Sequence, residues 1–260
     1  MNRMRHIVVA LLGVAVLAGT VACSAGGPTA TLSSKPAAGS LQTPTPSPTP
    51  TPTPIPTFDK ARLSIDDPTS VWVVSNKLRP LNPIDYVPAD LVTVKVRAVS
   101  NGQMRQAAAT GLETMFSAAA AEGAGQLQIQ NAYRSYATQL RVHSRLVASL
   151  GTAKADAQSA RAGYSEHQTG LAVDIAAYPS RCDIAACFST TAQGQWLAAN
   201  SWRFGFILRY PADKSAVTGY IFEPWHFRYV GVELSTEMHA TGLTTLEEFF
   251  GLAAAPNYAG

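Results

Sequence analysis

The chain has 260 residues, of which 47% are hydrophobic and 14% are charged, with 20 Lys and Arg against 17 Asp and Glu. This composition excludes global disorder and coiled-coil or collagen-like structure. The small net charge of +3 includes no basic run, which argues against nucleic-acid binding. The excess positive charge lies entirely in Arg3, Arg5 and Lys35, so residues 58–260 are formally neutral. No feature of the sequence indicates a protein partner.

The first 22 residues are typical of an export signal. Arg3 and Arg5 precede an uncharged apolar run at residues 7–22, which is shorter than the roughly 20 residues of a membrane-spanning helix. The run ends in a sequence that resembles a bacterial lipobox, although Thr20 replaces the preferred leucine. We therefore expect a signal peptide, a lipid anchor at Cys23 and a location on the outer face of the cell membrane or in the cell wall. A cleaved, secreted protein and a retained helix are the alternatives.

Residues 23–57 are rich in Pro, Thr, Ser, Ala and Gly, and they end in Thr-Pro alternation. Such a segment has almost nothing to bury and favours extended polyproline II conformation. It predicts a linker, followed by a single domain at residues 58–260.

The order of predicted elements indicates the fold class. Apolar residues at helical spacing predict helices, and short apolar or alternating runs predict strands. In chain order these are strand 71–74, helix 104–121, strand 127–130, helices 136–150 and 152–161, strand 171–176, helix 192–201, strands 206–208 and 225–229, and a final short helix capped by Thr244. Because helices and strands are mixed without βαβ alternation, we expect an α+β domain with a mainly antiparallel central sheet flanked by helices.

Two cysteines remain after Cys23. Cys182 and Cys187 are five residues apart, and in an exported protein such a pair predicts a disulfide that closes a small loop. Free thiols and a metal site are the alternatives, but a single carboxylate, Asp183, does not complete a four-coordinate site.

Residues 165–175 contain the first candidate for chemistry. His167 precedes a glycine that permits a sharp turn, and Asp174 follows between Val173 and Ile175 on an apolar strand. A carboxylate buried there is costly unless it is paired or bound to a cation. His167 and Asp174 could therefore bind the same metal, or form a buried hydrogen bond.

A second stretch favours the metal. Glu223 lies three residues before His226 in an aromatic segment. With His226, the candidate ligands become two histidines and one aspartate, which leaves one tetrahedral position open for water, as catalytic zinc requires. Glu223 could then accept a proton from that water. Two imidazoles favour zinc over magnesium or calcium.

Together the two stretches resemble a known family. Ser-x-His-x-x-Gly-x-Ala-x-Asp at residues 165–174, followed by Glu-x-x-His at 223–226, is similar to the zinc D-alanyl-D-alanine carboxypeptidases of the VanY type, in the lysostaphin/hedgehog-like group of peptidases. The similarity extends from about Trp72 to Phe250 and includes Ala-Tyr-Arg-Ser-Tyr at residues 132–136. It implies a hedgehog/D-Ala-D-Ala-peptidase-like domain with one zinc ion.

The resemblance also implies roles for individual residues. His167, Asp174 and His226 match the zinc ligands, and Glu223 matches the catalytic base. Arg134 matches an arginine that holds the substrate's terminal carboxylate or the developing oxyanion. The polar residues that orient the peptide are matched by Ser165 and Gln139.

The expected function is removal of the terminal D-alanine from peptidoglycan stem peptides. An L,D-carboxypeptidase or an endopeptidase acting on the same peptides is the nearest alternative. A non-catalytic, zinc-containing wall-binding module is an alternative of another class. Among nearby charges, we interpret Glu166 as a solvated loop residue and Arg228 as one half of a structural ion pair.

Overall fold

A computed structural model of the chain describes residues 57–259. The predicted signal peptide, the lipidation of Cys23 and almost all of the predicted linker lie outside these residues and stay predictions. Within residues 57–259, no helix has the length and apolar character needed to cross a membrane.

The centre of the domain is a four-stranded antiparallel sheet, as the sequence predicts. A separate two-stranded antiparallel sheet pairs β1 with β2. The six strands are β1 (Leu91–Thr93), β2 (Gln103–Arg105), β3 (Gln126–Asn131), β4 (Ala172–Tyr178), β5 (Phe206–Leu208) and β6 (His226–Tyr229). The central sheet has the order β3-β4-β6-β5, so its two inner strands, β4 and β6, come from distant parts of the sequence.

Seven α-helices and three short 3₁₀ helices complete the described part of the chain. The α-helices are α1 (Gln106–Ala121), α2 (Tyr136–Leu150), α3 (Thr152–Asp156), α4 (Ala192–Asn200), α5 (Ser215–Thr218), α6 (Val232–Thr241) and α7 (Leu246–Phe250). The 3₁₀ helices are Glu166–Thr169, Ala186–Thr190 and Ser201–Phe204. The mixed composition and the antiparallel sheets confirm the α+β class.

The main core lies between α1 and the central sheet. Leu112 and Met115 on α1 are fully buried, and they belong to one apolar cluster with Ile129, Ile175 and Phe227 from three adjacent strands. These side chains fix the positions of β4 and β6, whose other residues carry the polar groups described below.

The predicted strand at residues 71–74 is wrong, although its residues are almost all buried. Trp72 and Val73 form no ladder: the Trp72 indole donates to Val230 O, and Val73 O accepts from Arg228 Nη2 at 2.7 Å. The hydrophobicity of this segment reflects packing rather than strand pairing: its carbonyls accept from side chains, and the N–H groups of Val73 and Val74 donate to carbonyls outside any ladder.

Several boundaries also differ from the prediction. The helix expected at residues 152–161 ends at Asp156. The last helix is capped by Thr245 rather than Thr244, since the Thr245 hydroxyl accepts from Glu248 N at 3.2 Å. Strands β1 and β2 and helices α5 and α6 were not among the predicted elements; the first two are only three residues long.

Candidate active site

The pairing of β4 with β6 brings Asp174 and His226 together. The two residues are direct cross-strand partners, so their side chains leave the same face of the sheet at close range. Asp174 Oδ1 lies 3.3 Å from His226 Nδ1. On the other side of β4, a bulge between Ile129 and Asn131 places Asn131 opposite Asp174, and its amide donates to Asp174 Oδ2 at 3.4 Å.

His167 reaches the same point from the 3₁₀ helix that precedes β4. This helix ends at Gly170, whose φ of +67° is in the left-handed region that glycine adopts without strain. The turn directs His167 towards β4, where its Nε2 lies 3.3 Å from Asp174 Oδ2. Its Nδ1 donates to Ala132 O at 2.8 Å, which fixes both the ring and its tautomer.

The three side chains fit a metal ion. One ligand atom each from His167, Asp174 and His226 lies within 4.8 Å of the others, and all three residues are buried. His167 Nδ1 donates to a carbonyl, and His226 Nε2 lies 3.3 Å from the Glu166 carboxylate. The opposite nitrogens, His167 Nε2 and His226 Nδ1, therefore face Asp174, and a cation between these three groups would be bound through them.

The electrostatics of the cluster agree with this reading. Burial alone would lower the pKa of His226, but its contacts with Asp174 and Glu166 raise it to about 9. Burial lowers the pKa of His167 and keeps that ring neutral. Although burial disfavours its charge, the neighbouring imidazoles hold the pKa of Asp174 well below its usual range. The surrounding carboxylates thus favour positive charge at this point, which a divalent cation supplies.

Glu223 lies at the edge of the metal-binding cluster. Its Oε2 is 3.8 Å from His226 Nδ1, and only 7% of the residue is exposed. Burial raises the pKa of Glu223 to about 8. A carboxylate with a raised pKa beside a metal site is suited to accept and return a proton near neutral pH.

Arg134 lies in the same cavity as the metal-binding cluster. The cavity has a volume of about 210 Å³ and includes Asp174 and Glu223 in its lining. Burial lowers the pKa of Arg134, while Asp174 and Glu223 favour its charged form. Its buried Nε has no hydrogen-bond partner among the described residues. This guanidinium is therefore available to bind an anionic group of a ligand.

Ser165 and Gln139 also line this cavity. The Gln139 amide nitrogen donates to Ser159 Oγ at 3.0 Å and to Ala160 O, which holds the amide in place. Its Oε1 is buried without a partner in the described residues, so it can accept a hydrogen bond from a bound molecule. The structure thus places the predicted metal-binding, catalytic and substrate-binding residues around one cavity.

The interpretation of Glu166 as a solvated residue is wrong. Its side chain is fully buried, and its Oε1 accepts from Arg209 at 2.8 Å and from Arg228 at 2.9 Å. Burial alone would raise its pKa, but the two guanidinium groups hold the pKa of Glu166 well below its usual range. Arg228 is therefore one half of a structural ion pair, as expected. The sequence does not indicate that Glu166 is buried, because its partners are distant in the chain. Arg209 follows β5, and Arg228 lies in β6.

Cys182 and Cys187 form a disulfide, with Cα atoms 5.5 Å apart. The loop that they close lies beside the cavity, and Ile184 from this loop forms part of the lining. Trp225 lines the same cavity from the segment before β6.

Comparison with known proteins agrees with the site. Residues 101–232 match the family model VanY, described as D-alanyl-D-alanine carboxypeptidase. The carboxypeptidase-like protein YodJ of Bacillus subtilis (strain 168) is 38% identical over 192 residues, which cover 72% of this chain and 69% of YodJ. A D-alanyl-D-alanine carboxypeptidase of Enterococcus faecalis (strain ATCC 700802 / V583) is 39% identical, over 65% of this chain and 63% of that protein.

Solved structures show the same similarity. The LdcB LD-carboxypeptidase superposes with a TM-score of 0.66 at 38% identity, covering 72% of this chain and 88% of that one. A mutant of the D,D-pentapeptidase VanY from a VanB-type resistance cassette, in complex with Zn(II), superposes with a TM-score of 0.54 at 35% identity. That match covers 69% of this chain and 98% of the other.

Proposed function

The chain belongs to the VanY family of D-alanyl-D-alanine carboxypeptidases, and from this premise we propose that it is a zinc peptidase of the bacterial cell envelope. In this proposal it removes the terminal D-alanine from peptidoglycan stem peptides. The observation that carries the proposal is a buried carboxylate, Glu223, beside the three-residue metal-binding cluster. A purely structural metal site needs no such proton acceptor, which argues against a non-catalytic wall-binding module.

In the proposed reaction His167, Asp174 and His226 hold one zinc ion. When bound, zinc polarises a carbonyl oxygen and makes water more acidic. Glu223 accepts the proton of the attacking water and returns it to the departing amine, which its raised pKa suits. These side chains are buried, so they act in a medium where charges interact more strongly than in water.

Arg134, Ser165 and Gln139 orient the peptide in this proposal. The guanidinium of Arg134, whose buried Nε has no partner among the described residues, binds the terminal carboxylate of the substrate or stabilises the oxyanion, because its planar donors match carboxylate geometry. The Oε1 of Gln139, which has no partner within residues 57–259, accepts from a peptide N–H. A carboxylate-binding cation beside the metal-binding residues limits cleavage to the end of a chain.

The test of the catalytic role is the substitution Glu223→Gln. We expect the variant to bind zinc as the wild type does and to lose about 10²–10⁴-fold in turnover, since only the proton acceptor is removed. Zinc content is measured by metal analysis and turnover by release of D-alanine. Glu237→Gln is a matched control on α6, outside the cavity lining. Full activity in Glu223→Gln would contradict the assigned role.

A second candidate, an L,D-carboxypeptidase, is favoured by the higher TM-score of the LdcB structure compared with the VanY structure. Digestion of purified muropeptides separates the candidates by the mass of the products. Loss of one alanine from pentapeptides supports the D,D-activity, loss of one alanine from tetrapeptides supports the L,D-activity, and internal cleavage supports an endopeptidase. No change in any peptide would contradict the enzymatic proposal.

The location of this activity follows from the same proposal. A peptidase that acts on wall peptides works outside the cytoplasm, which agrees with the predicted export signal at residues 1–22 and lipid anchor at Cys23. In this proposal the segment at residues 23–57 links the anchor to the domain at residues 58–260.

A further inference from the structure

The disulfide-closed loop, residues 182–187, borders a second cavity beside the candidate active site. This cavity, the outer groove, has a volume of about 350 Å³. It shares Leu146, Gln158, Ile184 and Trp225 with the lining of the cavity that holds the metal-binding cluster. Because the same side chains line both spaces, a molecule bound at the metal-binding cluster can extend directly into the outer groove.

The two cavities differ in chemistry. The inner one contains the carboxylates, imidazoles and guanidinium described above, whereas no charged side chain lines the outer groove. Ile184 and Ile221, from two separate segments, line the outer groove and remain 46% and 41% exposed. Gln158 supplies the one amide side chain in this lining. Such a surface binds an aliphatic group next to a peptide backbone.

The loop holds Ile184 in a defined position. The side chain of Cys182 packs against the main core, and Phe188 just after the loop is fully buried. Asp183 Oδ2 accepts from Gln130 Nε2 on β3 at 2.8 Å. These contacts and the disulfide fix both sides of Ile184.

The backbone of Ile184 supports a specific role. Its φ is +47°, a left-handed conformation that is costly for a β-branched residue. Cys182, two residues earlier, has a φ of +58°. Such conformations persist only where the surrounding structure imposes them, and they occur preferentially at ligand-binding sites.

We propose that the outer groove is a subsite for an aliphatic side chain of the peptide, on the acyl side of the cleaved bond, and that Ile184 determines specificity there. The inference rests on the proposed function. A carboxypeptidase releases only the terminal residue, so the substrate that extends beyond the catalytic cavity belongs to the acyl side. The residue that precedes the two terminal alanines is then the one that reaches the groove.

The test compares two probes, N-acetyl-norleucyl-D-Ala-D-Ala and N-acetyl-glycyl-D-Ala-D-Ala. We expect wild type to cleave the norleucyl peptide with about tenfold higher kcat/KM, because the groove covers part of a four-carbon side chain. In Ile184→Asp, this preference should fall close to one. The readout is a ratio within one variant, so it does not depend on the fraction of folded protein.

Two further variants separate the loop from general effects. Cys182→Ser combined with Cys187→Ser should also reduce the preference; substitution is preferable to a thiol reductant, which would bind zinc. Val99→Asp, the same kind of change from an aliphatic to an acidic side chain at an exposed site outside both linings, should retain the wild-type preference. Equal cleavage of the two probes by wild type, or an unchanged preference in Ile184→Asp, would overturn the proposal.

The same comparison distinguishes failure of the subsite from failure of the proposed reaction. If neither probe is cleaved, calorimetric titration of both into the zinc-loaded protein measures the preference as a ratio of Kd values. A norleucyl preference that Ile184→Asp abolishes then supports the subsite and counts against the reaction. Equal Kd values, or no binding of either probe, count against the subsite.

Discussion

At the scale of single residues, the candidate site depends on how each ligand is held. Glu166 illustrates this, because its two oxygens have different partners. Oε1 accepts from Arg209 and Arg228, and Oε2 lies 3.3 Å from Nε2 of His226. This contact holds a proton of His226 on Nε2, so a metal would be bound through Nδ1, which faces Asp174. A carboxylate behind a ligating imidazole fixes its tautomer and increases its basicity.

We therefore expect Glu166→Gln to weaken zinc binding by about 10- to 100-fold, the usual effect of losing such a partner. Competition with a chromophoric chelator measures the affinity. Glu247→Gln is the control, since it removes another buried carboxylate from Arg209 without contacting His226. Equal losses of zinc affinity in the two variants would show that the effect is general destabilisation.

Much of the site could be predicted at this scale, and the reason is chemical. His167, Asp174, Glu223 and His226 match the family motifs in type and order, and the structure brings their side chains together. The partners of Glu166 could not be predicted, because one follows β5 and the other lies in β6. A charge beside a polar loop is usually solvated, and only the tertiary structure shows that it is buried.

At the scale of elements, the junction between the 3₁₀ helix Glu166–Thr169 and β4 sets the distance between His167 and Asp174. Gly170 forms this junction with a positive φ, and its backbone N–H lies 3.2 Å from His167 O. A Cβ atom at Gly170 would lie 2.9 Å from Leu91 Cδ2 and 3.0 Å from Arg105 Cγ. Both the conformation and the packing therefore disfavour any larger residue there.

We expect Gly170→Ala to destabilise the protein more than Gly123→Ala does. Both positions have positive φ, which costs an alanine about 1–2 kcal/mol, but a Cβ at Gly123 would contact nothing within 4 Å. Urea titration gives the free energy of unfolding of each variant. The difference between the two values measures the cost of crowding the new Cβ against Leu91 of β1 and Arg105 of β2. Equal free energies would mean that Leu91 and Arg105 move aside without cost.

Prediction of the elements succeeded where the pattern was long and failed where it was short. Helix α2 matches its predicted bounds, because Ser135 caps it and Gly151 follows its end. Strands β1 and β2 are too short to show the alternation of apolar and polar residues that predicts a strand. The apolar run at residues 71–74 could not be distinguished from a strand, because burial alone does not indicate the hydrogen-bond partners of the backbone.

At the scale of the whole molecule, a buried polar network connects distant segments. Glu247 on α7 accepts from Arg209 at 2.9 and 2.7 Å and from the Asn76 amide at 2.9 Å, and Arg209 in turn binds Glu166. The network thereby joins the start of the domain, the sheet and the last helix. Burial alone would raise the pKa of Glu247, but Arg209 and Asn76 lower it.

We expect Glu247→Gln to lower the free energy of unfolding by about 3–5 kcal/mol at pH 7, because it leaves Arg209 short of a buried counter-charge. Since the folded state lowers the pKa of Glu247, its stabilisation is complete above the ordinary value of 4.5 and is lost as the pH falls further. Urea unfolding of both proteins at several pH values checks this. The gap between them should narrow below pH 4.5, and a constant gap would contradict the prediction.

The α+β class could be predicted from the order of elements, but the strand order β3-β4-β6-β5 could not. It depends on which distant segments pair, and local patterns carry no information on that choice.

The cross-strand pairing of Asp174 with His226 has a consequence for how the protein reaches its native state. These residues belong to strands that lie far apart in the sequence. A slip of β6 by one residue would turn His226 to the opposite face of the sheet, so only the correct register assembles the metal-binding cluster. A cation that binds this register alone shifts the equilibrium towards it by mass action. A metal bound at this site would then stabilise the native register of β4 and β6.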